Sequence, residues 1–78
     1  MELEKIRGIL SEILDTDPAA ITENSFLVDD LGADSLDLFQ LLIRLEQEYD
    51  IETDEHLRDR IFTVGDVIDA IRGLKYAG

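Results

Sequence analysis

The feature that most constrains this sequence is an acidic turn with a glycine that runs directly into the most apolar segment of the chain. The turn spans residues 29–37, with Gly32, Asp34 and Ser35 at its centre, and residues 36–45 form the apolar segment. Glycine followed by aspartate, serine and a dense apolar pattern is typical of a helix N-terminus, with Asp34 as its cap. The unpaired N–H groups of a first helical turn favour an anion. The sequence therefore predicts that a phosphate attached to Ser35 would lie in a favourable field.

Apolar residues recur at helical spacing in several segments, and no segment alternates as a strand would. We expect helices from Leu3 to Leu14, from Asp34 to Tyr49 and from a Thr63 cap onward, with a short helix from Glu55 to Arg60. Asp66 follows Thr63 by three residues, which predicts a capping box. The sequence thus predicts one all-α domain over residues 1–78, a four-helix bundle with three longer helices, one short third helix and a long first loop.

The first loop is too apolar to be a free linker. An ordered loop of this length is uncommon and is often functional. We expect five of its side chains to pin it onto the core: Ile21, Phe26, Leu27, Val28 and Leu31.

The second predicted helix carries more apolar residues than one packing surface needs. Seven of the ten residues from Leu36 to Leu45 are apolar. An amphipathic helix in a small domain buries a narrower stripe than this. We therefore expect Phe39 and Ile43 to be exposed and available to a partner.

The charge of the chain is strongly negative, at −12, and it is concentrated in one region. Residues 29–55 hold ten acids and a single base, Arg44. Nucleic-acid binding is excluded, because phosphate contacts need clustered lysine and arginine. An acidic surface favours basic protein partners, although surplus acid also serves solubility alone.

Other features of the sequence bear on where the protein is located in the cell. The chain has no cysteine, no apolar run long enough to span a membrane and no signal pattern at its start. We expect a cytoplasmic protein that acts as a monomer.

Catalytic and metal-binding chemistry has little support in the sequence. His56 is the single histidine, no nucleophile elbow surrounds Ser35, and the acids do not follow the ligand spacing of a calcium loop. We expect neither an enzyme nor a dedicated metal site, and weak divalent binding by the acids stays open.

Residues 31–37, which read Leu-Gly-Ala-Asp-Ser-Leu-Asp, resemble the signature of acyl carrier proteins. The resemblance extends to residues 21–24, 45–50 and 63–66 and covers nearly the whole chain. It implies a four-helix bundle with a long first loop. It also implies that Ser35 carries 4′-phosphopantetheine, taken from coenzyme A, through a phosphodiester.

The same resemblance implies a set of partners. A holo-carrier synthase, the phosphopantetheinyl transferase, would install the arm, and basic acyl-transfer and elongation enzymes would act on the cargo. Partner-facing positions of the family fall on eight residues here: Asp34, Leu36, Asp37, Phe39, Gln40, Ile43, Glu46 and Gln47. The bundle interior is expected to shelter the acyl chain, with a lining of Leu41, Leu45, Leu57, Ile61 and Val67.

Several positions depart from the pattern of fatty-acid carriers. Gln40 and Gln47 stand where glutamate is usual, and Arg44 replaces a small or apolar residue. The chain is therefore interpreted as a carrier for fatty-acid or related synthesis, or as a specialised carrier for a polyketide, nonribosomal peptide or dedicated lipid. An acidic metal-binding or docking module is the alternative from another class.

Overall fold

The computed structural model describes residues 2–54 and 56–76, which form three α-helices joined by loops and two 3₁₀ turns. The helices are α1 (Glu2–Leu14), α2 (Ser35–Tyr49) and α3 (Val64–Tyr76), and the 3₁₀ turns are Pro18–Ala20 and Leu57–Asp59. Over the described residues there is no strand, only one isolated antiparallel bridge between Phe26 and Thr63. The predicted all-α class is confirmed.

The short third helix is smaller than the sequence predicts. Between Asp54 and Arg60 the structure has one 3₁₀ turn, Leu57–Asp59, and Glu55 lies outside the described residues. Asp54 Oδ1 accepts hydrogen bonds from the backbone N–H groups of His56 and Leu57 at 2.7 and 3.0 Å. The Asp54 side chain therefore takes up N–H groups that would otherwise form helical backbone hydrogen bonds, and this favours a turn. With Leu57 as its single apolar anchor, the segment gains too little burial to lengthen.

One hydrophobic core joins all three helices and the first loop. Helix α1 packs against both α2 and α3, and α2 also contacts α3 and the second 3₁₀ turn. The buried side chains come from the three helices, from the first loop and from Ile61 before α3: Ile6, Ile9, Leu10, Ile21, Leu27, Ala33, Leu41, Leu42, Leu45, Ile61, Val64, Val67, Ile68 and Ile71. Burial of aliphatic side chains on this scale supplies the main driving force for folding.

Exposed ion pairs join α1 to α2 above this core. Lys5 Nζ lies 3.3 Å from Glu48, and Arg44 donates to Glu12 at 2.8 Å. The Lys5 ammonium also lies 5.4 Å from the centre of the Tyr49 ring. Burial, with neighbouring glutamates, raises the pKa of Tyr49. Exposed pairs of this kind contribute little to stability, so the buried core rather than the ion pairs holds the two helices together.

The long first loop is tied to the start of α3 by backbone hydrogen bonds. Leu27 N donates to Phe62 O at 2.8 Å, and Gly65 N donates to Glu23 O at 2.8 Å. A Cβ at position 65 would lie 3.2 Å from the Glu23 carbonyl oxygen, so glycine permits this close approach. The loop is an ordered part of the fold, as the sequence predicts.

The expectation that all five apolar loop residues pin the loop is wrong for two of them. Ile21 and Leu27 are buried and Leu31 is half-buried, but Phe26 and Val28 are 47% and 55% exposed. The cause is a tight turn, because the N–H groups of Asp30 and Leu31 both donate to Phe26 O. In this turn the side chain of Leu27 faces the core, and the side chains of its neighbours Phe26 and Val28 face solvent.

The predicted capping box of the last helix is confirmed. Asp66 Oδ2 accepts from the backbone N–H groups of Thr63 and Phe62 at 3.0 and 2.8 Å, and Asp66 N donates to Thr63 Oγ1 at 3.1 Å. The hydrogen bonds from Thr63 and then Phe62 lower the pKa of Asp66, against the smaller opposing effect of burial. The cap fixes the loop that precedes α3.

Candidate functional site

The N-terminus of α2 is closed by two aspartates that cap each other. Asp37 N donates to Asp34 Oδ1 at 2.8 Å, and Asp34 N donates to Asp37 Oδ2 at 3.1 Å. Asp34 is extended at the cap position, with φ −106° and ψ −177°. Gly32, two residues earlier, has φ +74°, which lets the chain turn sharply into the helix. The predicted cap at Asp34 is confirmed.

Ser35 is the first residue of α2, and its side chain is exposed. In the described part of the chain, no hydrogen bond involves its hydroxyl or the backbone N–H groups of Ser35 and Leu36. These are the donors that the capping box leaves unused at the helix start. A hydroxyl that is accessible, unpaired and next to free N–H groups fits the attachment of a phosphate.

The helix terminus and the acidic side chains around Ser35 act on a bound anion in opposite directions. The helix terminus stabilises a nearby negative charge by about 0.3–1 kcal/mol. A carboxylate about 4 Å away opposes it by about 1 kcal/mol in water before salt screening, and Asp34 and Asp37 flank the position. A free phosphate would therefore bind weakly here. The position fits a phosphate that is held by a covalent bond to Ser35 Oγ.

The outer face of α2 carries three exposed apolar side chains. Leu36 is 61%, Phe39 51% and Ile43 39% exposed. Gln40 and Gln47 are exposed on the same helix. The exposure predicted for Phe39 and Ile43 is confirmed. A contiguous apolar row with polar neighbours is typical of a protein interaction surface.

Two shallow grooves lie on either side of Ile43. A groove of about 280 Å³ runs from Phe39 and Ile43 to Arg58 beside the second 3₁₀ turn. A groove of about 220 Å³ runs between α2 and α1, bordered by Ile13 and Arg44. Both are open surface features of a size that could take a side chain or a short acyl segment.

The interior residues expected to shelter cargo are mostly packed core. Leu41, Leu45, Ile61 and Val67 are all at most 4% exposed. Leu57 is half-buried and borders a groove of about 300 Å³ between the second 3₁₀ turn and α3. Surface grooves border Leu57 and Ile43, next to this packed core.

Two charged residues of α2 are held by contacts that sequence reasoning missed. Glu46 is half-buried, and its carboxylate accepts a hydrogen bond from Thr53 N at 2.9 Å. Arg44 is paired with Glu12 on α1. Arg58 also lines the groove of about 280 Å³ beside Phe39 and Ile43, although no sequence pattern marks it. Each of these contacts depends on how another part of the chain packs against α2, so spacing along the chain gives no signal for them.

Neither His56, nor a cluster of metal ligands, nor a membrane-spanning helix adds a second site in the described residues. His56 is exposed and precedes the second 3₁₀ turn. Within residues 2–54 and 56–76 no group of three or more histidine or acidic side chains could hold a metal ion. None of the helices in that part of the chain combines the length and the apolarity needed to cross a membrane.

Comparison with known proteins assigns the family. A family model described as "Phosphopantetheine attachment site" matches residues 4–71. An acyl carrier protein of Phenylobacterium zucineum is 46% identical over 70 residues, which are 90% of this chain and 89% of that protein. The chain belongs to the acyl carrier protein family. Its members are carriers rather than enzymes, and their prosthetic group is 4′-phosphopantetheine.

Further acyl carrier proteins support this assignment in sequence and in structure. The acyl carrier protein of Clostridium acetobutylicum is 40% identical, with 92% of this chain and 94% of that protein covered. The solved acyl carrier protein of Enterococcus faecalis is 31% identical and superposes with a TM-score of 0.74, covering 90% of this chain and 89% of that one. A Mycobacterium tuberculosis structure provisionally described as an acyl carrier protein is 46% identical, with a TM-score of 0.85 and coverage of 92% and 96%.

Proposed function

We propose that Ser35 is the residue that carries 4′-phosphopantetheine and that the protein tethers acyl intermediates as thioesters. The observation that carries this proposal is the position of Ser35, an exposed hydroxyl on the first residue of α2. The matched family region, residues 4–71, includes it. The arm supplies the terminal thiol that a cysteine-free chain lacks.

Within this proposal the residues around Ser35 present the hydroxyl to an incoming enzyme. The reciprocal cap between Asp34 and Asp37 holds the first turn of α2 in one geometry. Ser35 Oγ makes no competing hydrogen bond in the described chain, so it can enter a transferase active site without breaking one. A preorganised nucleophile position lowers the entropic cost of reaching the reactive arrangement.

The proposed partner surface is the outer face of α2 with its acidic start. Seven of the eight residues assigned to it are exposed or lie within two residues of Ser35, and Glu46 is half-buried: Asp34, Leu36, Asp37, Phe39, Gln40, Ile43, Glu46 and Gln47. An apolar row with acidic residues at its start fits a basic enzyme surface with an apolar centre. We infer that the transferase and basic acyl-transfer and elongation enzymes dock here. Weak, salt-sensitive docking suits a carrier that must leave after each step.

Fatty-acid or related synthesis is the proposed setting, with a specialised pathway as the second candidate. The specialised reading is favoured by Arg44, which places a cation on the partner-facing helix and pairs with Glu12 at 2.8 Å. Gln40 and Gln47 remove two further charges from the same helix relative to the usual pattern. Intact-mass analysis of the natively purified protein would identify the arm and its acyl cargo together.

A single domain over residues 1–78 that acts as a cytoplasmic monomer completes the proposal. The net charge of −12 disfavours self-association, because two copies would repel each other. Light scattering on the purified protein measures the monomer mass, and cell fractionation measures the location.

The decisive experiment is loading of the purified protein by a phosphopantetheinyl transferase with coenzyme A. The wild type should gain the mass of one phosphopantetheine, and Ser35→Ala should gain none while keeping its helical circular dichroism. Ser11→Ala, on half-buried Ser11 of α1, is the matched control and should load as the wild type does. Loading of the Ser35→Ala variant would overturn the assignment of Ser35.

A further inference from the structure

The groove of about 280 Å³ between α2 and the second 3₁₀ turn has a mixed lining. Three α2 side chains, Phe39, Leu42 and Ile43, supply its apolar part. The other lining side chains are polar or charged: Glu46, Thr53, Asp54 and Arg58. We call this feature the Arg58 groove. Its lining suits a ligand that has an apolar part and a charged end.

Arg58 is the only cation among the described residues that line this groove. It is half-buried, yet within the described residues it makes no ion pair and no side-chain hydrogen bond; the ion pairs found there use Lys5, Arg44 and Arg60. A guanidinium has five N–H donors in a planar fork that fits a carboxylate. The groove therefore offers unused donors to an anion.

The two acids of the Arg58 groove already have other hydrogen-bond partners. Glu46 accepts from Thr53 N at 2.9 Å, and Asp54 Oδ1 accepts from two backbone N–H groups at the following 3₁₀ turn, at 2.7 and 3.0 Å. Asp54 Oδ2 also lies 3.8 Å from Arg60. The negative charge of both acids still opposes a free anion. An anion that a covalent tether holds near the groove is favoured over a free one.

The groove lies within reach of an arm attached to Ser35. Phe39 and Glu46 follow Ser35 in α2 by rises of about 6 and about 16 Å along the helix axis. At 3.6 residues per turn, both positions lie within about 40° of Ser35 around that axis. The linear chain of 4′-phosphopantetheine has about as many bonds as five residues of polypeptide, which span about 17 Å when extended. A tethered group can therefore follow one side of α2 into the groove.

The tether offers two anions, and the groove favours one of them. The phosphodiester is fixed to Ser35 Oγ, about 6 Å along the axis before Phe39, the first groove residue. An acyl group at the far end of the arm can move into the groove, where the tether gives it an effective concentration on the order of millimolar. A carboxylate on the acyl group is therefore the better placed partner for Arg58.

We propose that Arg58 recognises acyl cargo that ends in a carboxylate. The guanidinium pairs with the cargo carboxylate, and the methylene groups of the cargo contact Phe39 and Ile43. This inference rests on the proposed function of Ser35, and it names a class of cargo, the acyl groups derived from dicarboxylic acids. Cargo without a terminal charge leaves Arg58 unpaired and gains less from the groove.

The test combines two cargoes with two residues at position 58. A phosphopantetheinyl transferase loads the arm from adipoyl-coenzyme A or from 6-methylheptanoyl-coenzyme A, a cargo of similar shape without the charge, and intact mass confirms loading. The melting temperature of the adipoyl form relative to the 6-methylheptanoyl form should be higher in the wild type than in Arg58→Gln, by about 2–4 °C. Arg72→Gln, at an exposed position of α3 outside the three grooves, removes the same charge and should match the wild type.

A second measurement reports the contact itself. Carbon-13 NMR of an adipoyl group labelled at its free carboxyl gives the pKa of that carboxyl, which a nearby guanidinium lowers. This pKa should be lower in the wild type than in Arg58→Gln, and Arg72→Gln should leave it unchanged. A purely structural role for Arg58 would change the melting temperature without moving the pKa of the cargo.

The outcomes separate this inference from the proposed function. A wild type that accepts no arm would contradict the role of Ser35 itself. A loaded protein whose cargo carboxyl has the same pKa in the wild type and in Arg58→Gln would overturn the role of Arg58 alone. An Arg58 Nε–H signal that shifts on attachment of the bare arm, and no further with adipoyl, would also overturn it, because the phosphodiester would then be the anion. If Arg58→Gln does not fold, Arg58→Lys keeps the charge without the planar fork and should give a cargo pKa above that of the wild type.

Discussion

Asp34 and Asp37 each accept a hydrogen bond from the backbone N–H of the other, at 2.8 and 3.1 Å respectively, and so close the start of α2. The same two carboxylates flank Ser35, so in the proposed function one pair of side chains has both a structural and a recognition role. The chemistry of the two roles differs. Capping needs an acceptor oxygen, whereas attraction of a basic enzyme needs a full negative charge.

Substitution at Asp34 can separate these two roles. Asp34→Ala should lower the free energy of unfolding by about 1 kcal/mol, because the N–H of Asp37 loses its acceptor. Asp34→Asn keeps an acceptor and should stay within about 0.5 kcal/mol of the wild type. Urea unfolding measures both values. If Asn restores stability but loading by the transferase stays slow, the charge contributes to docking; equal stability of the Ala and wild-type proteins would contradict the capping role.

Two glycines should respond in opposite directions to the same change. Gly32 has φ +74°, so Gly32→Ala should destabilise the protein by about 1 kcal/mol through backbone strain. Gly8 lies inside α1, so Gly8→Ala should stabilise it by about 0.5–1 kcal/mol. A Cβ at either position meets no atom within 4 Å, so neither result depends on a clash. Thermal and urea unfolding measure the change in stability of each variant. Changes of the same sign in the two variants would refute the explanation from backbone conformation.

The cap of α3 should make stability depend on pH in a predictable direction. Backbone hydrogen bonds from Thr63 and Phe62 lower the folded pKa of Asp66 below its ordinary value of 3.8. A depressed carboxyl pKa contributes stability that is fully present above the unfolded value and is lost as pH falls through the folded one. The advantage of the wild type over Asp66→Asn should therefore shrink as pH is lowered below 3.8.

Urea unfolding of both proteins across the acid range measures this dependence. Asp66→Glu keeps a titrating carboxyl in the capping box and serves as the control, with a pH dependence close to that of the wild type. A wild-type advantage that stays constant or grows toward low pH would contradict the assigned role of Asp66.

Added salt should stabilise the protein. The net charge is −12, and the ion pairs between described residues are exposed. Raising ionic strength from about 0.01 M to about 0.15 M shortens the screening length from about 30 to about 8 Å and weakens self-repulsion. The melting temperature should therefore rise with sodium chloride.

A less acidic variant provides the control for the salt effect. Asp29→Asn with Glu52→Gln removes two charges from exposed side chains and should give a smaller rise. A melting temperature that falls with salt, or a rise of equal size in both proteins, would count against self-repulsion as the cause.

Local sequence patterns predicted the helices and their caps because those interactions span three or four residues. The bonds between Asp34 and Asp37 and between Thr63 and Asp66 both join positions three residues apart. Helical spacing of apolar residues likewise predicted which part of α2 is buried and that Phe39 and Ile43 are exposed. The segment predicted as a short helix contains a 3₁₀ turn, because Asp54 competes for its backbone N–H groups.

The contacts that shape the surface were not predictable, because they join distant positions. Arg44 bonds to Glu12, which lies 32 residues earlier in the sequence. Leu27 N donates to Phe62 O, and the whole of α2 lies between these two residues in the sequence. The apolar pattern of the loop did not show that Phe26 faces solvent, since irregular backbone has no fixed period. The orientation of Phe26 is set by a turn in which the N–H groups of Asp30 and Leu31 donate to Phe26 O.

The sequence by itself determined an acidic helical protein with Ser35 at a capped helix start, because caps and helical periods are encoded in neighbouring residues. The tertiary structure alone decided which apolar residues of the first loop, and of the segment before α3, remain outside the core. That choice depends on how the first loop crosses the start of α3, where Leu27 is buried and Phe26 and Phe62 are left at the surface. Burial is shared among elements far apart in the chain, so it is settled only when they pack.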